Sequence, residues 1–286
     1  MNNDIFSHIE NISNHGAAQG ILPRFFNQMF DLAKMSIGRN ELDNQFKKYF
    51  KTVIPELIHF YDLYHKLIDA INDYQAGVKQ GTYYTLDERN RSTLDKTKER
   101  EIGNLINDFF IRGKITIVNF VKSGIISDEN FNFGQYYFCD QGKLEQKITD
   151  YYANTDGRYL PLLKLLNNAN SDFLSSFNKI RGEIEHNQFF INPFQISKTE
   201  HRAFVVEPML TDKPLSMQLE FYYNSILELI EKLLAYYLGI NGEILKNGFL
   251  LLHIRTDFNY PEMKSKYVFS LGGIPSAFPT IRCKYD

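Results

Sequence analysis

Four stretches of this 286-residue chain repeat apolar side chains every three or four positions, and that period restricts the fold more than any other feature. Over 41–76, Phe46, Tyr49 and Phe50 share one face. Leu57, Ile58, Tyr61, Tyr64, Leu67, Ile68 and Ile71 share another, with Pro55 breaking or kinking the run. A second stretch over 87–123 places Ile102, Leu105, Ile106, Phe109, Ile117 and Phe120 on one side. A third puts Phe173, Phe177, Ile180 and Ile184 in line, and the fourth fills 216–238. Stripes of this kind are stable only when packed against each other, so the chain is expected to be mainly α. Apolar residues make up 43%, with 24 Phe, 18 Tyr and no Trp. The plain use of so many rings is a thick core with tyrosine hydroxyls at its rim; a base-stacking surface is the less favoured use.

Turn and cap residues divide the stripes. The start of the chain reads as irregular, around a short helix near 25–35. Gly77 and Gly81 are read as a turn, and Thr85-Leu-Asp-Glu88 has the form of a capping box opening the helix over 87–123. Residues 124–141 suit a loop or short hairpin, 141–153 a short helix, and 160–166 another. Asn170-Ser-Asp172 offers an N-cap for a helix over 170–187. Phe204-Val-Val is a strand candidate within 191–214, Gly239 a stop for the helix over 216–238, and 249–254 and 267–271 are β-prone.

Net charge is −2, so bulk electrostatics would not hold this chain on a nucleic acid and any such contact needs a local patch. Cys139 and Cys283 lack metal-ligand spacing and are read as free thiols. The first residues carry no basic and apolar leader pattern. The longest apolar run, 226–240, is interrupted by Glu228, Glu231 and Lys232, too charged to span a bilayer. A cytoplasmic protein with no membrane partner is the expectation.

Chemistry concentrates in Phe177-Asn-Lys-Ile-Arg181-Gly-Glu-Ile-Glu-His186-Asn. A guanidinium grips phosphate through two parallel hydrogen bonds, and an imidazole moves protons near neutral pH. Together they are a minimal kit for cleaving RNA without a metal. In a straight helix, positions five apart point about 140° away from each other, so convergence needs a distortion, which Gly182 makes cheap. The alternative reading pairs Arg181 with Glu185 at i+4 and leaves His186 as a cation favoured by the helix C-terminus. Arg112 and Lys114 are candidate substrate contacts if their helix lines the cleft.

The segment 178–187 resembles the Arg-x4-6-His signature of the HEPN superfamily, and the order of helices over 85–240 is similar to its bundle. The resemblance implies an up-down helical bundle over 85–240; the N-terminal helical extension (1–84) and the small strand-bearing tail (241–286) are read from their own patterns and lie outside it. It implies a metal-independent endoribonuclease of bacterial defence or toxin–antitoxin systems, acting through Arg181 and His186 with no cofactor and no metal. Its partners would be RNA or a nucleotide, a second copy in a homodimer, and an antitoxin or defence protein. Active members usually carry Asn, Asp or His after the arginine, where this chain has Gly182. The family's non-catalytic nucleotide- or RNA-binding and protein-interaction modules therefore stand as the alternative.

Overall fold

Two ends of helices show how local chemistry shapes this chain. In the computed structural model, which describes residues 49–86, 92–94, 96–122, 146, 150, 160–198, 203–240, 249–254 and 267–272, a π-helical turn at Tyr49–Val53 leads into α1, Ile54–Gln80. Pro55 sits in the first turn of α1, where its missing N–H costs nothing. Gly81, at φ 80°, ends the helix. The Gly81 amide donates to the Val78 carbonyl and the Thr82 amide to Gly77, a Schellman closure. The expected turn at Gly77 is thus corrected: Gly77 lies inside α1. A Cβ there would sit 2.0 Å from a ring carbon of Tyr83, so the glycine makes room for the chain folding back over its own helix.

Tyr84–Leu86 (β1) and Ser92–Leu94 (β2) pair antiparallel, with Tyr84 opposite Leu94. The segment with the form of a capping box therefore begins in a hairpin, and the long helix, α2, starts later, at Lys96–Lys122. Thr85 and Thr93, β-branched and directly opposite each other, favour paired strands over a first helical turn. The remaining elements are α3 (Leu160–Ala169), a π-helical turn (Asn170–Leu174), α4 (Ser175–Glu185) and α5 (Leu215–Ile240). Strands β3 (Gln195–Lys198) and β4 (Ala203–Val206) pair antiparallel, as do β5 (Met209–Leu210) with β6 (Lys213–Pro214) and β7 (Phe249–Ile254) with β8 (Tyr267–Gly272). Strands therefore stand where the β-prone segments are expected. The helix expected to stop at Gly239 runs one residue past it. The expected helix over 25–35 and loop over 124–141 lie outside the described residues, as does most of the helix over 141–153.

Asn170-Ser-Asp172 does not start a helix. It forms the π turn that joins α3 to α4, with the Ser175 amide reaching the Asn170 carbonyl five residues back. Hydroxyls serve carbonyls in and beside this looser turn: Ser171 donates to Asn168 and Ser176 to Phe173, each at 2.9 Å. Such turns insert one extra residue and rotate the downstream helix, which sets the direction of α4.

A single buried cluster takes residues from α1, α2, α3, α4 and α5. Its aromatic centre holds Phe60, Phe109, Phe110, Phe177 and Tyr222, all fully buried. Phe177 meets Phe110 at 4.9 Å and Tyr222 at 5.5 Å between ring centres. Gly113 of α2 is the contact point of four helices. A Cβ there would lie 2.8 Å from Phe177 Cζ, 3.0 Å from Ile226 Cδ1 and 3.2 Å from Phe60 Cε2. Among the described residues, no helix is long and apolar enough to cross a membrane.

Candidate functional site

The last turn of α4 carries the Arg–His segment, and its backbone explains part of the sequence pattern. Asn187 adopts φ 54°, the left-handed conformation that ends helices and that Asn tolerates better than most residues. The Asn187 amide donates to the Ile184 carbonyl at 3.1 Å and the Gln188 amide to Glu183 at 2.7 Å. This is the same closure that Gly81 provides for α1. His186 is the residue at the cap, at φ −95° and ψ 10°, and its side chain is exposed. The helix thus stops between Arg181 and His186, one residue before the imidazole.

Arg181 is held differently. Its side chain retains 14% of its exposure, and Nη1 forms an ion pair with Glu185 Oε2 at 2.5 Å, the i+4 pair of the alternative reading. The same carboxylate takes a second cation from another helix. Lys114 Nζ of α2 stands 3.9 Å from Glu185 Oε1. Arg181 Nε and Asn178 Nδ2 are buried and have no hydrogen-bond partner among the described residues. Ile180, between them in sequence, is buried in the core, and Phe177 anchors the turn before. The apolar face of α4 therefore fixes where its polar face lies, against α2 and next to Lys114.

The predicted substrate contacts separate. Lys114 joins Arg181 through Glu185. Arg112, expected to contact substrate if its helix lined the cleft, instead donates from Nη1 to Glu56 Oε2 of α1 at 3.0 Å. It ties α2 to α1. Thr116, almost fully buried, returns its hydroxyl to the Arg112 carbonyl at 2.9 Å.

Two organising roles carry no signal in the motif. Spacing identifies Glu185 as a partner for Arg181, but its link to Lys114 depends on the crossing of two helices that spacing does not reveal. Glu207 belongs to no motif. It accepts the Ser216 amide at 2.8 Å, at the start of α5, and the Gln75 side chain of α1 at 2.6 Å. An acidic residue at that helix start is favoured by the unsatisfied amides there.

A groove of about 510 Å³ lies elsewhere, between α1 and α2, with Tyr61, His65, Lys66, Asp69, Asp73 and Glu101 among its walls. None of Lys114, Arg181 and His186 lines it. His65 packs on Tyr61, ring centres 4.1 Å apart. Burial raises the Tyr61 phenol above its ordinary pKa, helped by Asp62 and Asp69. Among the described residues, no three His, Cys, Asp or Glu side chains are grouped to hold a metal ion. A groove of this size can take a ligand, and its walls carry carboxylates, an imidazole and lysines, but no residue of the Arg–His segment. The helix end at Arg181 instead gathers two cations on one carboxylate. No protein-family model, curated protein or solved structure matches this chain.

Proposed function

We propose that the protein is a metal-independent endoribonuclease of the HEPN type, working at the end of α4 and serving bacterial defence or a toxin–antitoxin system. The observation that supports this reading is the meeting of Arg181 and Lys114, from two helices, on one anion beside an exposed His186. Two cations that converge on a carboxylate are also suited to a phosphate.

In the proposed reaction the RNA 2′-hydroxyl attacks its neighbouring phosphorus, and the bond to the 5′-oxygen of the next nucleotide breaks. His186 takes the proton from the 2′-hydroxyl or gives one to the leaving oxygen. Arg181, with Lys114, offsets the negative charge that grows on the phosphoryl oxygens. One imidazole cannot do both jobs in one step, so a homodimer, with its second His186, completes the acid–base pair. DNA, lacking the nucleophile, is inert.

A second reading is a catalytically silent member that binds RNA or nucleotides or joins other proteins. It is favoured by Gly182 directly after the arginine and by Glu185 already holding the guanidinium. Purified protein with single-stranded RNA and EDTA separates the two. The nuclease reading expects products ending in 2′,3′-cyclic phosphate, lost in both Arg181→Ala and His186→Ala. Equal RNA decay in wild type and both variants rules it out. Binding that needs Arg181, without cleavage, selects the silent member.

A further inference from the structure

Glu185 raises a question that the proposed reaction does not answer, because the cations meant for RNA phosphate are engaged by the protein's own carboxylate. The two partners use different oxygens: Arg181 Nη1 takes Oε2 and Lys114 Nζ approaches Oε1. The anion is the exposed member of the group. Its side chain is 46% accessible, against 14% for Arg181 and 21% for Lys114. The carboxylate also leaves the arginine incompletely served, since Arg181 Nε is buried with no partner. Unsatisfied donors of this kind on a charged group are costly, so the resting arrangement is not the one in which the guanidinium is best satisfied. Glu185 is the last residue of α4, where the helix has already closed on Asn187, and its side chain can turn outward without disturbing the backbone closure.

Building on the phosphate-handling role proposed above, we infer that Glu185 is an internal competitor. It occupies the phosphate position in the free protein, and an RNA phosphate displaces it from Arg181 and Lys114. The cations stay partly covered and oriented while RNA is absent, and weakly bound anions are excluded.

The test uses the full chain and a fluorescein-labelled 2′-O-methyl single-stranded oligoribonucleotide, which lacks the nucleophile and stays intact. Affinity is read by anisotropy for wild type, Glu185→Gln, Arg181→Ala and the double variant, each first checked for wild-type thermal unfolding. Glutamine keeps the size of the side chain and removes its charge. Removing an exposed competing charge is expected to tighten binding about fivefold. That gain should vanish in the double variant. Weakened binding in Arg181→Ala, with no gain in Glu185→Gln, would make Glu185 a positioning residue and overturn the inference while leaving the phosphate reading intact. A gain that persists without Arg181 would reduce the effect to net charge and overturn it too. Binding that ignores Arg181 altogether, or is absent in every variant, removes the underlying reading itself.

Discussion

The two ends of α4 are determined in opposite ways. At Phe177 the helix is fixed by rings from α2 and α5 and by the missing side chain of Gly113, with no exposed surface left. One turn later, Arg181 is placed by an ion pair to a half-exposed glutamate and by a lysine 3.9 Å from that same carboxylate, with one donor unsatisfied. Many weak contacts acting together leave a ring one position. Two polar contacts near water leave a charged group alternatives. The lesson is that the packed end supplies rigidity and the polar end uses it.

This contrast can be broken at several points. The largest effect is expected at the packed end. Phe177→Ala should destabilise the fold by about 3–5 kcal/mol, measured by urea unfolding, because the surrounding rings cannot close the space. A cost under about 1 kcal/mol would mean that the aromatic centre is looser than its geometry implies.

Alkaline pH probes the same core through Tyr64, which stacks on Tyr223 with ring centres 4.0 Å apart. Burial, then Glu220, pushes the Tyr64 phenol up to about 12. The folded pKa lies above the unfolded value, so the contribution is complete below about pH 10 and is lost as pH rises from about 10 towards 12. The loss attributable to this side chain is about 3 kcal/mol at most. Tyr64→Phe should flatten the fall in the urea midpoint over that range, and an unchanged slope would place the titration elsewhere.

The smallest effect is expected at the polar end. Gly182 is in the helix and nothing lies within 4 Å of a Cβ added to it. Gly182→Ala should therefore raise stability by about 0.5–1 kcal/mol through helix propensity alone. If it destabilises instead, the last turn of α4 depends on a distortion that its hydrogen bonds do not reveal.

Periodicity makes the core legible. Phe173, Phe177 and Ile180 are buried as their spacing predicts, and the β-prone runs at 249–254 and 267–271 pair as strands. The helical character follows because a 3.6-residue stripe has few other ways to bury itself. Boundaries are harder to read where one residue type serves two purposes. Gly77 resembles a turn residue because glycine is common in turns, but a ring folding back onto the helix requires it. Thr85-Leu-Asp-Glu88 matches a capping box, yet its first residues pair with the strand at 92–94, a contact that the spacing within the box does not show. At the site, the i+4 pair of Arg181 and Glu185 is legible from spacing, as helix geometry dictates. The approach of Lys114 to Glu185 and the departure of Arg112 to Glu56 are not, since both depend on how α2 crosses its neighbours.

The most direct test of a phosphate site at the end of α4 is nuclear magnetic resonance of the Arg181 guanidinium and the His186 ring while uncleavable 2′-O-methyl RNA is added. A phosphate bound there should move the Arg181 Nε–H and His186 signals together, with saturation at the affinity measured by anisotropy and smaller shifts when Lys114 is replaced by Ala. RNA that binds while both signals stay still would contradict it.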